Sequence, residues 1–173
     1  MTATEGLAQV NTLATHTALT VWSGMSDFLV ILVLFAVFFL FAWYVGRGQL
    51  VGLLLALYAG FALYKEFPFV SILPTAPALT ALGAQVGLYA ALVLAFYIIL
   101  QRVVVSDFLY IGIFGLIALS FLGAAFLLVL AYHVFPVLTV YTFTPAVNLL
   151  FAAKEYFWWW FIAPAIGLFF LAR

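Results

Sequence analysis

The sequence predicts an all-α integral membrane protein: a bundle of four transmembrane helices and a C-terminal aromatic helix that also spans, five in total. Two observations lead to this fold class. The first is composition, because 70% of the 173 residues are hydrophobic, 6% are charged and the mean hydropathy is +1.36, whereas a soluble domain is about half apolar and about one quarter charged. The second is a series of long uncharged apolar runs separated by short polar turns. We therefore expect the lipid bilayer to cover this chain.

Charge and cysteine content narrow the possible functions. Five basic and five acidic side chains give a formal net charge of zero, so we expect no basic surface for nucleic acid. The chain has no cysteine, which excludes disulfides, thiolate metal sites and cysteine nucleophiles. We expect no cofactor and no metal site.

Residues 1–25 are small and polar and form the first predicted segment. Several of their apolar or threonine positions fall on one face of a helix: Leu7, Val10, Leu13, Thr17 and Val21. This spacing is compatible with an amphipathic helix lying on the membrane, and the composition is equally compatible with a loose tail. Residues 26–173 are predicted to form a single membrane domain.

The first two spans are predicted at residues 28–45 and 50–64. Ser26 and Asp27 precede the first run and are typical of a helix start, where an acidic side chain favours the positive end of the helix dipole. One continuous helix through both runs would be about 55 Å long, against a hydrocarbon core of about 30 Å. The chain must therefore reverse at the tetrapeptide between the runs, Gly46-Arg47-Gly48-Gln49, where glycine permits a tight turn and arginine reaches water.

The third and fourth spans are predicted at residues 81–100 and 108–132. Three prolines between Phe67 and Pro77 interrupt helix formation, so this stretch is predicted to be an interfacial loop. Ser106 and Asp107 repeat the helix-start signal before the fourth run.

The fifth helix is predicted at residues 156–172. Near its start, residues 157–161 (Phe-Trp-Trp-Trp-Phe) are typical of the aromatic belt at a membrane–water boundary. Because the run is short and contains Pro164, a re-entrant or interfacial helix is the alternative. The uncharged segment 133–153, with two prolines and three threonines, is predicted to lie on the headgroups.

Basic residues indicate the orientation. If the N-terminus lies outside, Arg47, Arg102 and Arg173 fall in the cytoplasm, and Lys65 and Lys154 fall outside, each beside a glutamate. This distribution agrees with the positive-inside rule. We expect the N-terminus outside and the C-terminus inside the cytoplasmic membrane.

Small residues recur every fourth position along the second and third spans. The first stripe consists of Gly48, Gly52, Ala56 and Gly60, and the second of Gly83, Gly87, Ala91 and Ala95. Such faces let membrane helices approach closely. We expect the two stripes to pack on each other within the chain; alternatively, one of them serves a homo-oligomer or another membrane protein subunit.

The sequence contains no pattern that is typical of a catalytic site. No predicted span has a charged residue at its centre, and His16 and His133 lack metal-ligand spacing. An enzyme is therefore not expected. An enzyme acting on lipid would require convergence of the polar residues on one membrane side, which are Lys65, Glu66, His133, Lys154 and Glu155.

One family resemblance is carried by the first two spans. Asp27 stands just before the first apolar run, Gly46, Arg47 and Gly48 follow it, and the second run is rich in small residues. In these features residues 25–65 resemble the N-terminal hairpin of the colicin V production protein family. The segment after residue 133 departs from that family's pattern. The resemblance implies a small non-catalytic protein of the bacterial inner membrane, linked to envelope maintenance or export as a partner or scaffold.

The alternative function is a small transporter or channel subunit that works as an oligomer. It is suggested by the small-residue stripes and by the proline-containing segments near the membrane. Oligomerisation would be needed, because so few helices rarely enclose a pore alone.

Overall fold

A computed structural model describes residues 3–68, 73–103 and 111–171, with side chains from Gly24 onwards apart from Val103. Every regular element in these residues is helical, so the all-α fold class is confirmed. The helices are α1 (Ala3–Tyr44), α2 (Arg47–Glu66), α3 (Ala78–Val103), α4 (Ile113–His133), α5 (Pro145–Phe151) and α6 (Lys154–Leu171), with a short 3-10 helix at Pro136–Thr139 between α4 and α5.

Four helices are long and apolar enough to cross a membrane. The candidate stretches are Gly24–Tyr44, Arg47–Glu66, Ala78–Arg102 and Ile113–His133. They correspond to the four spans predicted from the sequence. Helix α6 is not one of the four; its 18 residues include Lys154 and Glu155 in the first turn, which lower its mean hydropathy.

The helix start predicted at Ser26 and Asp27 is wrong, because α1 passes through both residues without a break. No proline interrupts this stretch, and the Asp27 carboxylate binds a distant segment instead of capping its own helix. Residues 3–23 therefore continue α1 by about 31 Å at 1.5 Å per residue. The division of the chain into an N-terminal segment, residues 1–25, and a membrane domain, residues 26–173, stays a prediction. The second predicted start, Ser106-Asp107, lies outside the described residues.

The reversal between α1 and α2 lies at Val45-Gly46, at the start of the predicted tetrapeptide. Gly46 has φ 129° and ψ 150°, a conformation that is essentially restricted to glycine. Arg47 already belongs to α2, and its Nη1 donates a hydrogen bond of 2.7 Å to the carbonyl oxygen of Ile111. The turn therefore depends on Gly46, while Arg47 ties α2 to Ile111, two residues before α4 begins.

We expect Gly46→Ala to lower the free energy of unfolding by about 1–3 kcal/mol, since a Cβ forces this backbone into a disfavoured region. Gly52→Ala is the matched control, because its Cβ would lie 4.0 Å from Tyr97, an ordinary contact, and alanine is the better helix former. Unfolding of both variants in mixed micelles by added denaturing detergent measures the difference. Equal stability of the two would contradict this account of the turn.

Helix α4 forms the centre of the bundle. Four of its side chains are completely buried: Leu116, Leu119, Val129 and Leu130. In the most apolar stretch of α4, 61% of the residues are buried, against 11% in that of α3. Helices α1 and α6 both pack along α4, and α3 packs mainly on α2. Helix α3 is therefore the most peripheral span.

Helix α6 runs antiparallel to α4 along the whole length of α4. Near the end of α6, a Cβ at Gly115 of α4 would lie 3.5 Å from the Cβ of Leu171. Near its start, the ring of Phe157 lies 5.0 Å from that of His133. Pro164 cannot donate a backbone hydrogen bond, and the adjacent turn is supported by Tyr58 of α2, whose hydroxyl donates to the carbonyl oxygen of Phe161.

The two ends of the bundle carry different segments, as the contacts between helices show. The cap end holds the last residue of α2, the first of α3, the last of α4 and the first of α6: Glu66, Ala78, His133 and Lys154. The turn end holds the opposite termini: Tyr44, Arg47, Val103 and Leu171.

The two small-residue stripes do not pack on each other. In α2, Ala56 is completely buried, and a Cβ at Gly60 would lie 2.6 Å from Val93 Cγ2 of α3. In α3, by contrast, all four small residues are exposed, and a Cβ at Gly83 or Gly87 would meet nothing within 4 Å. The larger side chains of α3 fill the interface, and its stripe is on the outside of the bundle.

Candidate functional site

Most of the polar contacts between helices lie at the cap end, around residues 134–153, which we call the cap. The cap contains the 3-10 helix and α5, and it links α4 to α6. Its residues contact all five long helices. This is the best candidate for a functional site in the described part of the chain.

Asp27 of α1 is the centre of this polar cluster. Its side chain is only 2% exposed. One carboxylate oxygen, Oδ1, accepts a hydrogen bond of 2.8 Å from the Tyr141 hydroxyl. The other, Oδ2, accepts bonds of 2.5 Å from the backbone N–H of Thr144 and 2.6 Å from its hydroxyl. Three donors therefore compensate for the burial of this charge.

The local sequence of the cap explains why Thr144 donates to Asp27. Thr144 is the N-cap residue of α5 and makes no side-chain bond to its own helix, and Pro145 follows it. In the capping box, the backbone N–H of the N-cap residue donates a hydrogen bond to an acidic or amide side chain of the same helix. Here Asp27 supplies that acceptor from another helix. Ser26 completes the cluster, with its hydroxyl 2.9 Å from that of Tyr141.

Further hydrogen bonds hold the rest of the cap against α4 and α6. The Tyr132 hydroxyl donates to Asn148 Oδ1 at 2.7 Å, and His133 Nε2 donates to the Phe151 carbonyl oxygen at 2.9 Å. Trp160 Nε1 donates to the carbonyl oxygen of Leu150 at 3.1 Å. These bonds give the polar groups of the cap partners within the protein.

Aromatic rings close the cap over α2 and α3. Phe135 is buried, and its ring lies 5.4 Å from the rings of both Tyr64 and Tyr89. These distances are typical of favourable edge and tilted aromatic pairs. The cap therefore closes its end of the bundle with packing as well as hydrogen bonds.

The chemistry available to this site is that of a structural latch. In the described residues, Asp27 and Ser120 are the buried polar or charged side chains. The Asp27 oxygens are occupied by donors, and Ser120 Oγ in the middle of α4 has no partner. No group of three or more histidine or acidic residues could hold a metal ion in the part of the chain searched.

The polar residues predicted to share one membrane side do lie at the cap end but do not converge. Lys65, Glu66, Lys154 and Glu155 are exposed, and His133 is engaged with a backbone carbonyl. Among the described residues, no hydrogen bond or ion pair joins any two of these five side chains. At the turn end, Arg47 binds Ile111, Arg102 is exposed, and Arg173 lies outside the described residues.

Sequence reasoning missed Asp27, Tyr141 and Thr144 as one cluster. From the sequence alone, Asp27 is predicted to be a helix start, and segment 133–153 is predicted to lie on the headgroups. A signal was present, because one acidic residue beside a long apolar run requires a partner if it is buried. The sequence does not say which distant hydroxyl supplies it.

Comparison with known proteins found no matching family model, no similar curated protein and no similar solved structure.

Proposed function

We propose that this chain is a small non-catalytic protein of the bacterial inner membrane that crosses the bilayer five times and serves as a partner or scaffold for other membrane proteins. The observation that carries the proposal is the cap, whose polar groups bind one another and hold the helices together. A process in envelope maintenance or export follows from the family resemblance of residues 25–65.

Exposed aromatic residues at both ends of the bundle support membrane insertion. At the turn end, Trp43 is 59% and Tyr44 81% exposed, and at the cap end Trp158 is 63% and Trp159 73% exposed. Tryptophan and tyrosine are enriched at the two membrane–water interfaces. Between the two belts, large apolar side chains cover the outer surface, as they do on a lipid-facing bundle.

The packing of α6 supports a fifth span over a re-entrant helix. Its 18 residues extend about 27 Å, close to the thickness of the hydrocarbon core. Because Phe157 contacts the last residue of α4 and Leu171 lies beside its first turn, α6 crosses whatever thickness α4 crosses. Five spans place the termini on opposite sides, and the positive-inside rule favours the N-terminus outside.

Cysteine labelling tests the five-span topology. The natural chain has no cysteine, so Lys154→Cys and Leu171→Cys each introduce a single thiol. In intact cells, we expect a membrane-impermeant reagent to label Lys154→Cys but to label Leu171→Cys only after the membrane is opened. Glu66→Cys is the control for the outside and Arg102→Cys for the inside. Labelling of both α6 positions from the same side would reject the fifth span.

The outward face of α3 supports the partner role. Because α3 has the smallest buried share of the four candidate spans and a Cβ at Gly83 or Gly87 would meet nothing within 4 Å, another transmembrane helix could approach it closely. Purification of tagged protein in a mild detergent is expected to recover a second membrane protein in a fixed ratio. Recovery of the chain alone, as a monomer, would contradict the scaffold role.

The transporter or channel subunit remains the alternative proposal. In the described residues, the interior of one chain has no continuous polar lining, since its buried polar side chains are Asp27 and Ser120. A pore would therefore have to form between several chains. Solute flux through liposomes containing the inserted protein would support this alternative, and flux at background would remove it.

A further inference from the structure

We propose that the groove between α1 and α3 binds the acyl chain of one membrane phospholipid as a specific site. The groove has a volume of about 350 Å³ and reaches Leu127 of the central helix α4. Its floor is formed by Leu53 and Leu57 of α2, and its α3 wall includes Ala90 and Leu94. Residues from four helices thus surround one cavity.

Aromatic contacts lie near both ends of the groove. Towards the turn end, the rings of Phe41 and Tyr97 lie 5.9 Å apart in an edge contact. Towards the cap end, the ring of Tyr89 lies 5.4 Å from that of Phe135 in the cap. On the α3 wall, Val86, Ala90 and Leu94 are exposed, so the groove is accessible from the outside of the bundle.

The lining of the groove excludes a polar ligand. Its two hydroxyl groups are already engaged, since Tyr89 donates to the Leu57 carbonyl oxygen at 3.1 Å and Tyr97 donates to Gln49 Oε1 at 3.4 Å. The remaining side chains are aliphatic or aromatic hydrocarbons. No unpaired donor or acceptor is available to orient a polar molecule.

The dimensions of the groove favour a lipid tail over a partner helix. From Val86 to Tyr97 the α3 wall covers about 17 Å, and an α-helix with its side chains is about 10–12 Å across. A volume of about 350 Å³ spread over that length is too narrow for a helix but admits one unbranched hydrocarbon chain. An empty apolar groove of this depth would forfeit the contacts of its walls.

The site rests on the membrane insertion proposed above, and photolabelling separates the two ideas. The protein is reconstituted into nanodiscs with a phospholipid that carries a diazirine in the middle of one acyl chain. The nanodiscs are irradiated, and the lipid adducts on the protein are mapped by mass spectrometry. We expect adducts to concentrate on the groove, with Leu57 and Leu94 labelled about tenfold above Leu55, an exposed mid-helix position of α2 outside the groove.

Two alanine variants on one helix provide the matched pair. Ala90→Trp fills the groove, and Ala91→Trp places the same side chain on the outer face of α3. We expect the first to lower adducts on Leu57 about tenfold and the second to leave them unchanged. Equal adduct yields on the groove and on the outer face, unchanged by either variant, would mean that the protein is surrounded by ordinary lipid without a specific site. This result would overturn the proposal. No adduct anywhere would overturn membrane insertion as well.

Discussion

Asp27→Ala is expected to lower the free energy of unfolding by about 2–4 kcal/mol, because it leaves three donors in the cap without their acceptor. The donors are the Tyr141 hydroxyl and the hydroxyl and backbone N–H of Thr144. Asp27→Asn should lose less, since the amide keeps one acceptor oxygen. Unfolding in mixed micelles by denaturing detergent measures both changes.

A local measurement distinguishes release of the cap from a general loss of stability. Val147 in α5 is 8% exposed, so a cysteine at this position should react slowly in the native protein. In the Asp27→Ala background we expect its labelling rate to rise about tenfold under native conditions, because α5 separates from α1.

The control for Asp27 is another carboxylate at the cap end. Glu155 is exposed, and Glu155→Ala should change stability by no more than about 0.5 kcal/mol. A Thr144→Ala variant adds a double-mutant cycle, in which we expect the two losses to be less than additive because both remove the same bonds. Two results would show that the latch does not hold the cap. One is that the two losses of stability are additive, and the other is that Val147→Cys is labelled at the same rate with and without Asp27→Ala.

Gly60→Ala is expected to destabilise the protein by about 1–3 kcal/mol by forcing α2 away from α3. Its Cβ would lie 2.6 Å from Val93 Cγ2, 3.2 Å from the Val93 nitrogen and 3.3 Å from the Val93 Cα. The side chain of Val93 can be removed, but its backbone cannot yield without moving the helix. Val93→Ala should therefore rescue Gly60→Ala only in part.

Gly87→Ala on α3 is the matched control for Gly60→Ala. Nothing lies within 4 Å of its Cβ, and alanine favours helix over glycine by about 1 kcal/mol. We expect this variant to be neutral or slightly stabilising in the same detergent titration. A loss at Gly87 equal to that at Gly60 would mean that the second stripe packs within the chain after all.

The sequence by itself determined the helical class and the four long apolar helices. These properties follow from composition and from the length of uncharged runs, which are local in the chain. The reversal near Gly46 was also predictable, because a helix through two spans would exceed the bilayer and glycine was available at the join. The fifth span remains a proposal, since one run with Pro164 permits more than one arrangement.

Only the tertiary structure decided the role of Asp27 and the direction of the α3 stripe. Serine and aspartate are good helix starts in isolation, but the donors to this carboxylate, Tyr141 and Thr144, lie more than one hundred residues away in the chain, and no local signal encodes that pairing. A stripe of small residues on a helix likewise predicts that close approach is possible, without saying from which side. Both outcomes depend on which faces of distant helices meet, and that is a property of the packed bundle.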